Sequence, residues 1–379
     1  MFVLISFLLL SLVNASSLEI HYFEVGQGDS QLIIFPSGYS ILIDAGETSS
    51  SSKNCKLIAE RIKALTGGHV DVAVLTHLHT DHYGFTFSNG FWYLLESSGI
   101  TFGKFIDRSH GTIKSGITDC QNVDTSSVNW KNAGTTSKIG AQWICYSQSG
   151  ATTTQIHDIL ETAQHCSTSQ IKPSDDGAEV EIVVVDAPGI KDTDGSTLQG
   201  DRTGKDVPPS ENDYSVCLRI KYGDFVYATC GDLDGELADS YGYRYHNVES
   251  AYKDVMGSVD LFKANHHGSS HSNNAEWMNT LAPTVSVITC GAGNSYGHPR
   301  VEAVANMDAV SERVYVMEDC NPSVTNNYAS TYIANDEVVV KYTKGSSTFT
   351  VTSVGGGFTH TYNIKTNKPS RKACGVYSN

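Results

Sequence analysis

Residues 70–75 form a short apolar run rich in valine, and the loop that follows is Thr76-His77-Leu78-His79-Thr80-Asp81-His82. A run of that length and composition reads as a strand buried on both faces, so the chain must supply a covering layer on each side of it. The segments around it do so. From Ser17 the pattern gives strands at 18–25, 31–35 and 39–43, a Gly26-Gln27-Gly28-Asp29 turn after the first, and a helix at 53–65 with Leu57, Ile58, Ile62 and Leu65 on one face. Strands and helices alternating in this way predict an α/β layered domain.

Further along, the pattern changes twice. Residues 107–172 are rich in Ser, Thr, Gln, Gly and Asn and read as a polar insertion with one amphipathic helix near 154–164. Order resumes with a strand at 179–185, a polar loop at 190–209, and a hairpin of 215–221 and 224–229 about Tyr222-Gly223. A strand at 260–264, a helix from Ser272, a strand at 284–289 and a helix after Pro299 follow. Beyond Cys320, alternating stretches at 337–342 and 348–354 predict a β-rich extension over 323–379. The expected organisation is therefore one main domain over 16–322, carrying the insertion, and that extension.

The 379-residue chain has 26 Lys and Arg against 41 Asp and Glu, a net charge of −15. Diffuse attraction to nucleic acid or to an anionic membrane is excluded by that balance, so neither stable association is expected. No obligate protein partner is predicted. With 40% hydrophobic and 18% charged residues, the chain can bury a large core. The first thirteen residues are almost wholly apolar, and Val13-Asn14-Ala15 offers a peptidase site, so residues 1–15 read as a signal peptide of a secreted, extracellular protein.

All nine cysteines lie beyond that cut, which predicts disulfides and at least one thiol left over. Cys120, Cys145 and Cys166 fall in the polar insertion, where a cross-link stabilises most. Cys217, Cys230 and Cys290 fall in apolar strands and could be buried thiols. The spacing does not fix the connectivity. The one glycosylation sequon, Asn14-Ala15-Ser16, is at the cut itself.

Chemistry concentrates at three places. The 76–82 loop carries HxHxDH, whose chance occurrence in such a chain is roughly one in a thousand. A tight loop leaving a strand can aim His77 and His79 at one metal ion while Asp81 and His82 turn toward a second. Imidazole and carboxylate suit Zn, with Mn or Fe as alternatives. Cys230-Gly231-Asp232 ends a hairpin strand, where one carboxylate could bridge two cations or simply close a turn. Asn265-His266-His267-Gly268-Ser269, with His271 beyond, also follows a strand. One of the paired histidines could ligate while its neighbour hydrogen-bonds behind, and the sequence does not say which.

Those motifs come in a set with Phe23-Glu24-Val25-Gly26-Gln27-Gly28-Asp29-Ser30, Leu42-Ile43-Asp44-Ala45-Gly46, Glu211-Asn212-Asp213-Tyr214-Ser215 and Tyr296-Gly297-His298-Pro299. The set resembles the metallo-β-lactamase superfamily. It is closest in pattern to the branch that holds the hydrolase domain of bacterial DNA-uptake competence channels and the secreted phosphorylcholine esterases. The resemblance implies a four-layer αββα sandwich with two divalent metal ions, Zn first, at the strand ends. By motif, His77, His79 and Asp232 would hold one ion, and Asp81, His82, Asp232 with His266 or His267 the other. Asp29, Asp44 and Asn212 would stand behind the ligands, with turn capping as the alternative for the two aspartates. Asp81, Asp232 and His298 would form the catalytic set. His298 would bind a phosphoryl oxygen or protonate a leaving group, unless it only caps a helix or fills the core.

Asn212 stands where many members of the superfamily use another histidine, which disfavours β-lactam hydrolysis. The resulting expectation is a secreted dinuclear hydrolase that uses a metal-bound hydroxide on phosphodiesters or phosphomonoesters, as a nuclease or phosphodiesterase does. A lactone, β-lactam or carboxylic-ester hydrolase on the same site is one alternative. A catalytically silent binding protein is the other.

Overall fold

The computed structural model describes residues 17–49, 51–149 and 156–375. The signal peptide expected over residues 1–15 lies outside the described residues. Two large twisted sheets face each other, with helices on both outer surfaces, giving the αββα layering of the metallo-β-lactamase fold.

The first sheet has nine strands in the order Thr359–Asn363, Thr348–Ser353, Val338–Tyr342, Leu18–Tyr22, Gln31–Ile34, Ser40–Ile43, His69–Val74, Thr101–Asp107 and Leu160–Thr162. The second has seven: Thr331–Ile333, Arg313–Val316, Val285–Ile288, Leu261–Lys263, Phe225–Thr229, Cys217–Tyr222 and Ala178–Val184. Side-chain alternation decides which face each residue buries. Ile41, Ile43, Val72 and Val74 of the first sheet meet Leu218, Ile220, Tyr227 and Val287 of the second in the inter-sheet core. Their neighbours Leu42 and Ala73 point the other way. They pack under the helices Lys53–Thr66, Gly90–Glu96 and Lys138–Gln148. On the far side, Val226, Ala228 and Phe262 pack under Val248–Met256, Ala275–Leu281 and Val301–Asp308.

Both sheets carry a parallel block. Ser40–Ile43, His69–Val74 and Thr101–Asp107 run parallel in one, and Phe225–Thr229, Leu261–Lys263, Val285–Ile288 and Arg313–Val316 in the other. Parallel strands end on the same edge, so the turns after residues 43, 74, 229, 263 and 288 are gathered where the chemistry-bearing motifs lie.

The insertion departs from its sequence reading. The helix expected near 154–164 is, in its described part, a single turn at Ile156–Ile159 followed by the edge strand Leu160–Thr162. The substantial helix is Lys138–Gln148, capped by Ser137, which accepts from the Gly140 amide at 2.9 Å. Its Trp143, Ile144 and Tyr146 are buried, and the Trp143 indole donates to Asp107 Oδ2 at 2.8 Å. The polar composition of the segment hid this apolar face. At the other end of the chain, Val338–Tyr342, Thr348–Ser353 and Thr359–Asn363 are added onto Leu18–Tyr22 and widen the first sheet.

Four disulfides are present: Cys120–Cys145, Cys166–Cys374, Cys217–Cys230 and Cys290–Cys320, leaving Cys55 as a buried thiol. Reading Cys217, Cys230 and Cys290 as buried thiols is therefore corrected. Residues 217 and 230 oppose each other across an antiparallel pair, a juxtaposition that spacing along the chain does not reveal. Cys166–Cys374 ties the C-terminal tail to the insertion across 208 residues of sequence. Closing a loop of that size restricts the unfolded chain, so the Cys166→Ser/Cys374→Ser double variant should lose about 2–5 kcal/mol of stability. The shift of the denaturant-unfolding midpoint checks this, and an unchanged midpoint refutes it.

Candidate metal centre

The site is built from four loops at the common strand edge. The 76–82 loop leaves Val74 and closes in the short helix Thr80–Tyr83. It is seated on glycine: a Cβ at Gly46 would lie 2.0 Å from the Asp81 carbonyl oxygen, so only glycine lets the turn after Ile43 approach the loop this closely. The Asp29 amide donates to that same carbonyl at 2.9 Å. On the facing sheet, His266 and His267 both adopt left-handed backbone, φ +49° and +52°. Left-handed geometry in non-glycine residues costs about 1–3 kcal/mol each and persists where surrounding bonds over-determine it. Here Asn273 Oδ1 accepts from the Asn265 amide at 2.8 Å, Asn273 Nδ2 donates to the Asn265 carbonyl at 2.9 Å, and buried Glu249 accepts from Asn265 Nδ2 at 2.7 Å.

These loops bring seven potential ligand residues to one place. His77, His79 and Asp232 form one group whose ligand atoms lie within 4.8 Å of one another. Asp81, His82, Asp232 and His267 form a second, so Asp232 is common to both. The His82 Nε2 atom is 3.1 Å from Asp232 Oδ1, and His267 Nε2 is 3.2 Å from Asp81 Oδ2. His266 stands further out, its Nε2 3.8 Å from Asp232 Oδ2 and its Nδ1 within 3.2 Å of Asn212 Nδ2.

The orientation of the rings is fixed from behind. His82 Nδ1 donates to Asp44 Oδ2 at 2.7 Å, His267 Nδ1 donates to the Thr289 carbonyl at 2.8 Å, and His77 Nδ1 is 3.2 Å from the Thr76 hydroxyl, which itself donates to Asp44. Each of these bonds places the ring proton on Nδ1 and leaves the Nε2 lone pair turned toward Asp232. Buried His82 Nε2 and Asp232 Oδ1 have no hydrogen-bond partner among the described residues. Buried polar atoms are rarely left so, and a divalent cation shared by nitrogen and oxygen donors accounts for both. The residues present therefore fit a divalent metal ion.

Electrostatics agree. Burial opposes charge on Asp232 and Asp81, yet His82 and His267 beside them hold both carboxyls below the usual range. Burial also opposes charge on His82, but Asp232, Asp44 and Asp81 raise its pKa well above the ordinary value. Burial, then the adjacent His266 and His267, pushes His298 down to about 2, so it is a neutral imidazole at the mouth.

Several residues that complete this wall were not singled out from sequence. Lys263, fully buried, pairs with Asp29 and donates to the Gly231 carbonyl at 3.1 Å. Asp29 also accepts from Thr289 Oγ1. The one signal was a lysine in an otherwise apolar strand. Arg108 and Glu211 are a second case. The buried Arg108 guanidinium donates to Glu211 Oε1 and Oε2, both at 2.6 Å, and to the Asn132 carbonyl at 2.7 Å, while Glu211 Oε1 also accepts from the Leu78 amide at 3.0 Å. This network ties the 211–214 turn to the histidine loop. Removing Glu211 takes away the two-pronged partner of buried Arg108 and leaves it Asp186 at 3.2 Å, so Glu211→Ala should cost about 3–5 kcal/mol, whereas replacing both Arg108 and Glu211 by apolar residues should cost less. Denaturant midpoints of the single and double variants check this; a Glu211→Ala protein as stable as the parent overturns it.

Residues 24–86, which span Asp29, Asp44 and the whole HxHxDH loop, match the Metallo-beta-lactamase superfamily, whose members are generally metal-dependent hydrolases. The similarity seen in the motifs is thus a similarity to that superfamily over this segment, carried on a fold of the same layering. ComE operon protein 3 of Bacillus subtilis (strain 168) is 27% identical over 121 residues, which is 32% of this chain and 14% of that protein. The chain thus matches a small part of that relative's length. Among solved structures, a long form RNase Z from yeast is similar over 82% of this chain and 42% of its own, at 12% identity and a TM-score of 0.37. A CmlA β-hydroxylase variant is similar over 79% and 45%, at 12% identity and a TM-score of 0.33. At these scores neither likeness bears on reaction or substrate.

Proposed function

We propose that the chain is a metal-dependent phosphoesterase, acting outside the cell on phosphodiesters or phosphomonoesters. The observation that carries this reading is Asp232, one carboxylate faced by four imidazole Nε2 atoms and common to two donor groups. Two divalent ions, Zn first and Mn or Fe as alternatives, would be held by His77, His79 and Asp232 on one side and by Asp81, His82, Asp232 and His267 on the other. When bound, such ions lower the pKa of water to roughly 7 and polarise phosphoryl oxygens.

The chain's own residues do the rest. Asp232 keeps the two donor groups adjacent, and the Nδ1 bonds described above hold the rings in place before substrate arrives. With such ions held there, the charges of Asp81 and Asp232 would be outweighed and a phosphate would be attracted locally, although the protein as a whole is acidic. His298 and Arg300 line a cavity of about 440 Å³ above the cluster, where the neutral imidazole can donate one N–H and the guanidinium several to phosphoryl oxygens. Asn212, beside His266, supplies an amide in place of another imidazole, which supports phosphoryl over β-lactam substrates.

Four disulfides support an oxidising compartment, and no helix among the described residues is long and apolar enough to cross a membrane.

Metal analysis and hydrolysis of bis-p-nitrophenyl phosphate test the reading together. The Asp232→Ala protein should lose both ions and more activity than the about 10- to 100-fold drop that follows removal of a residue behind the ligands. Full turnover with both ions retained, or hydrolysis of nitrocefin alone by the parent protein, refutes the assignment.

A further inference from the structure

Two aromatic arms flank the mouth of the cavity. One is Tyr296, 59% exposed, whose ring lies over His298 at 5.6 Å and 27°; His298 lies in turn over His267 at 6.2 Å and 22°. These three rings lead from solvent to the metal centre. The other arm is the hairpin of Ala238–Ser240 and Tyr243–Tyr245, which brings Tyr241, Tyr243 and Tyr245 to the same cavity. Tyr245 stacks on His271 at 4.1 Å and 10°, while Tyr241, 77% exposed, meets His271 edge-on at 6.5 Å. Among the described residues only six large hydrophobic side chains are exposed, and three of them are Tyr241, Tyr243 and Tyr296 at this mouth. Leaving three tyrosines exposed around one polar cavity points to a ligand that covers them.

We propose that these arms are stacking platforms for the planar rings of a short, nucleoside-bearing phosphodiester of about dinucleotide size, held with its phosphate over the metal centre. The inference rests on the phosphoesterase reading and names its substrate class. Three features select this occupant. The exposed tyrosines come from two separate segments that line one cavity with His298 and Arg300, and their flat π-faces suit a base at each end of a diester. Arg300 is the only lysine or arginine lining the cavity, so a long polyanion finds no track of positive charge beyond it. Arg300 and the cations below also repel a quaternary ammonium group, which would otherwise compete for the same rings.

The metal-loaded full chain is assayed with thymidylyl-thymidine and with glycerophosphocholine, a diester without planar rings. In Tyr296→Ala and Tyr241→Ala, both at exposed positions, KM for the dinucleotide should rise about 5- to 150-fold with kcat unchanged. Kinetics on glycerophosphocholine should stay as in the parent, and Tyr296→Phe should behave as the parent does. Thymidine monophosphate, tested as an inhibitor of glycerophosphocholine hydrolysis, should weaken by a similar factor in both alanine variants. Equal losses on both diesters, a loss confined to glycerophosphocholine, or an unchanged KM for the dinucleotide overturns the proposal. If the parent hydrolyses glycerophosphocholine and not the dinucleotide, the stacking assignment falls and the phosphoesterase reading stands. If it hydrolyses neither, the stacking assignment falls, and hydrolysis of bis-p-nitrophenyl phosphate decides the phosphoesterase reading separately.

Discussion

The crowding of imidazoles around Asp232 is the constraint to which the rest of the structure answers. His77, His82 and His267 come from two different sheets, and each turns the same nitrogen toward one carboxylate. That arrangement is unfavourable without cations, because buried His82 Nε2 and Asp232 Oδ1 face each other with no hydrogen-bond partner among the described residues. It persists because each ring is anchored on its far side, by Asp44, by the Thr289 carbonyl or by Thr76.

Those anchors make demands of their own. Asp44 and Asp29 are fully buried carboxylates, and the chain supplies Thr76 and His82 for the first and Lys263 and Thr289 for the second. The left-handed turn at His266 and His267 is held by Asn265, Asn273 and Glu249, and the histidine loop by Glu211 and Arg108. Strain and buried charge therefore cluster around the candidate centre, as expected where geometry serves chemistry more than stability. The two-sheet core tolerates this because the apolar alternation of its strands is nearly uninterrupted.

Much of this was legible in the sequence, for a physical reason. Buried strands announce themselves by composition, so those at 69–74, 217–222, 225–229 and 285–288 were located from valine-rich or alternating runs to within a residue or two. The histidine loop was legible because its residue types have few other uses at that spacing. Lys138–Gln148 was missed because its buried face is mixed with Gln, Ser and Gly, and the helix expected at 154–164 failed where the chain joins a sheet edge. Whether a segment with weak periodicity becomes helix or edge strand is settled by the neighbour available to it.

What the sequence determined by itself, then, is the layering and the inventory of nitrogen and oxygen ligands, since both follow from local period and residue type. Tertiary structure alone decided that His267 joins Asp81 and His82 while His266 stands out beside Asn212, because two consecutive left-handed residues send adjacent side chains in directions that strand parity does not give. It also decided which cysteines pair, which cation neutralises Asp29, and that tyrosines more than fifty residues apart in sequence flank one cavity. Each of these is a contact between distant segments, and such contacts exist only once both sheets have closed on each other.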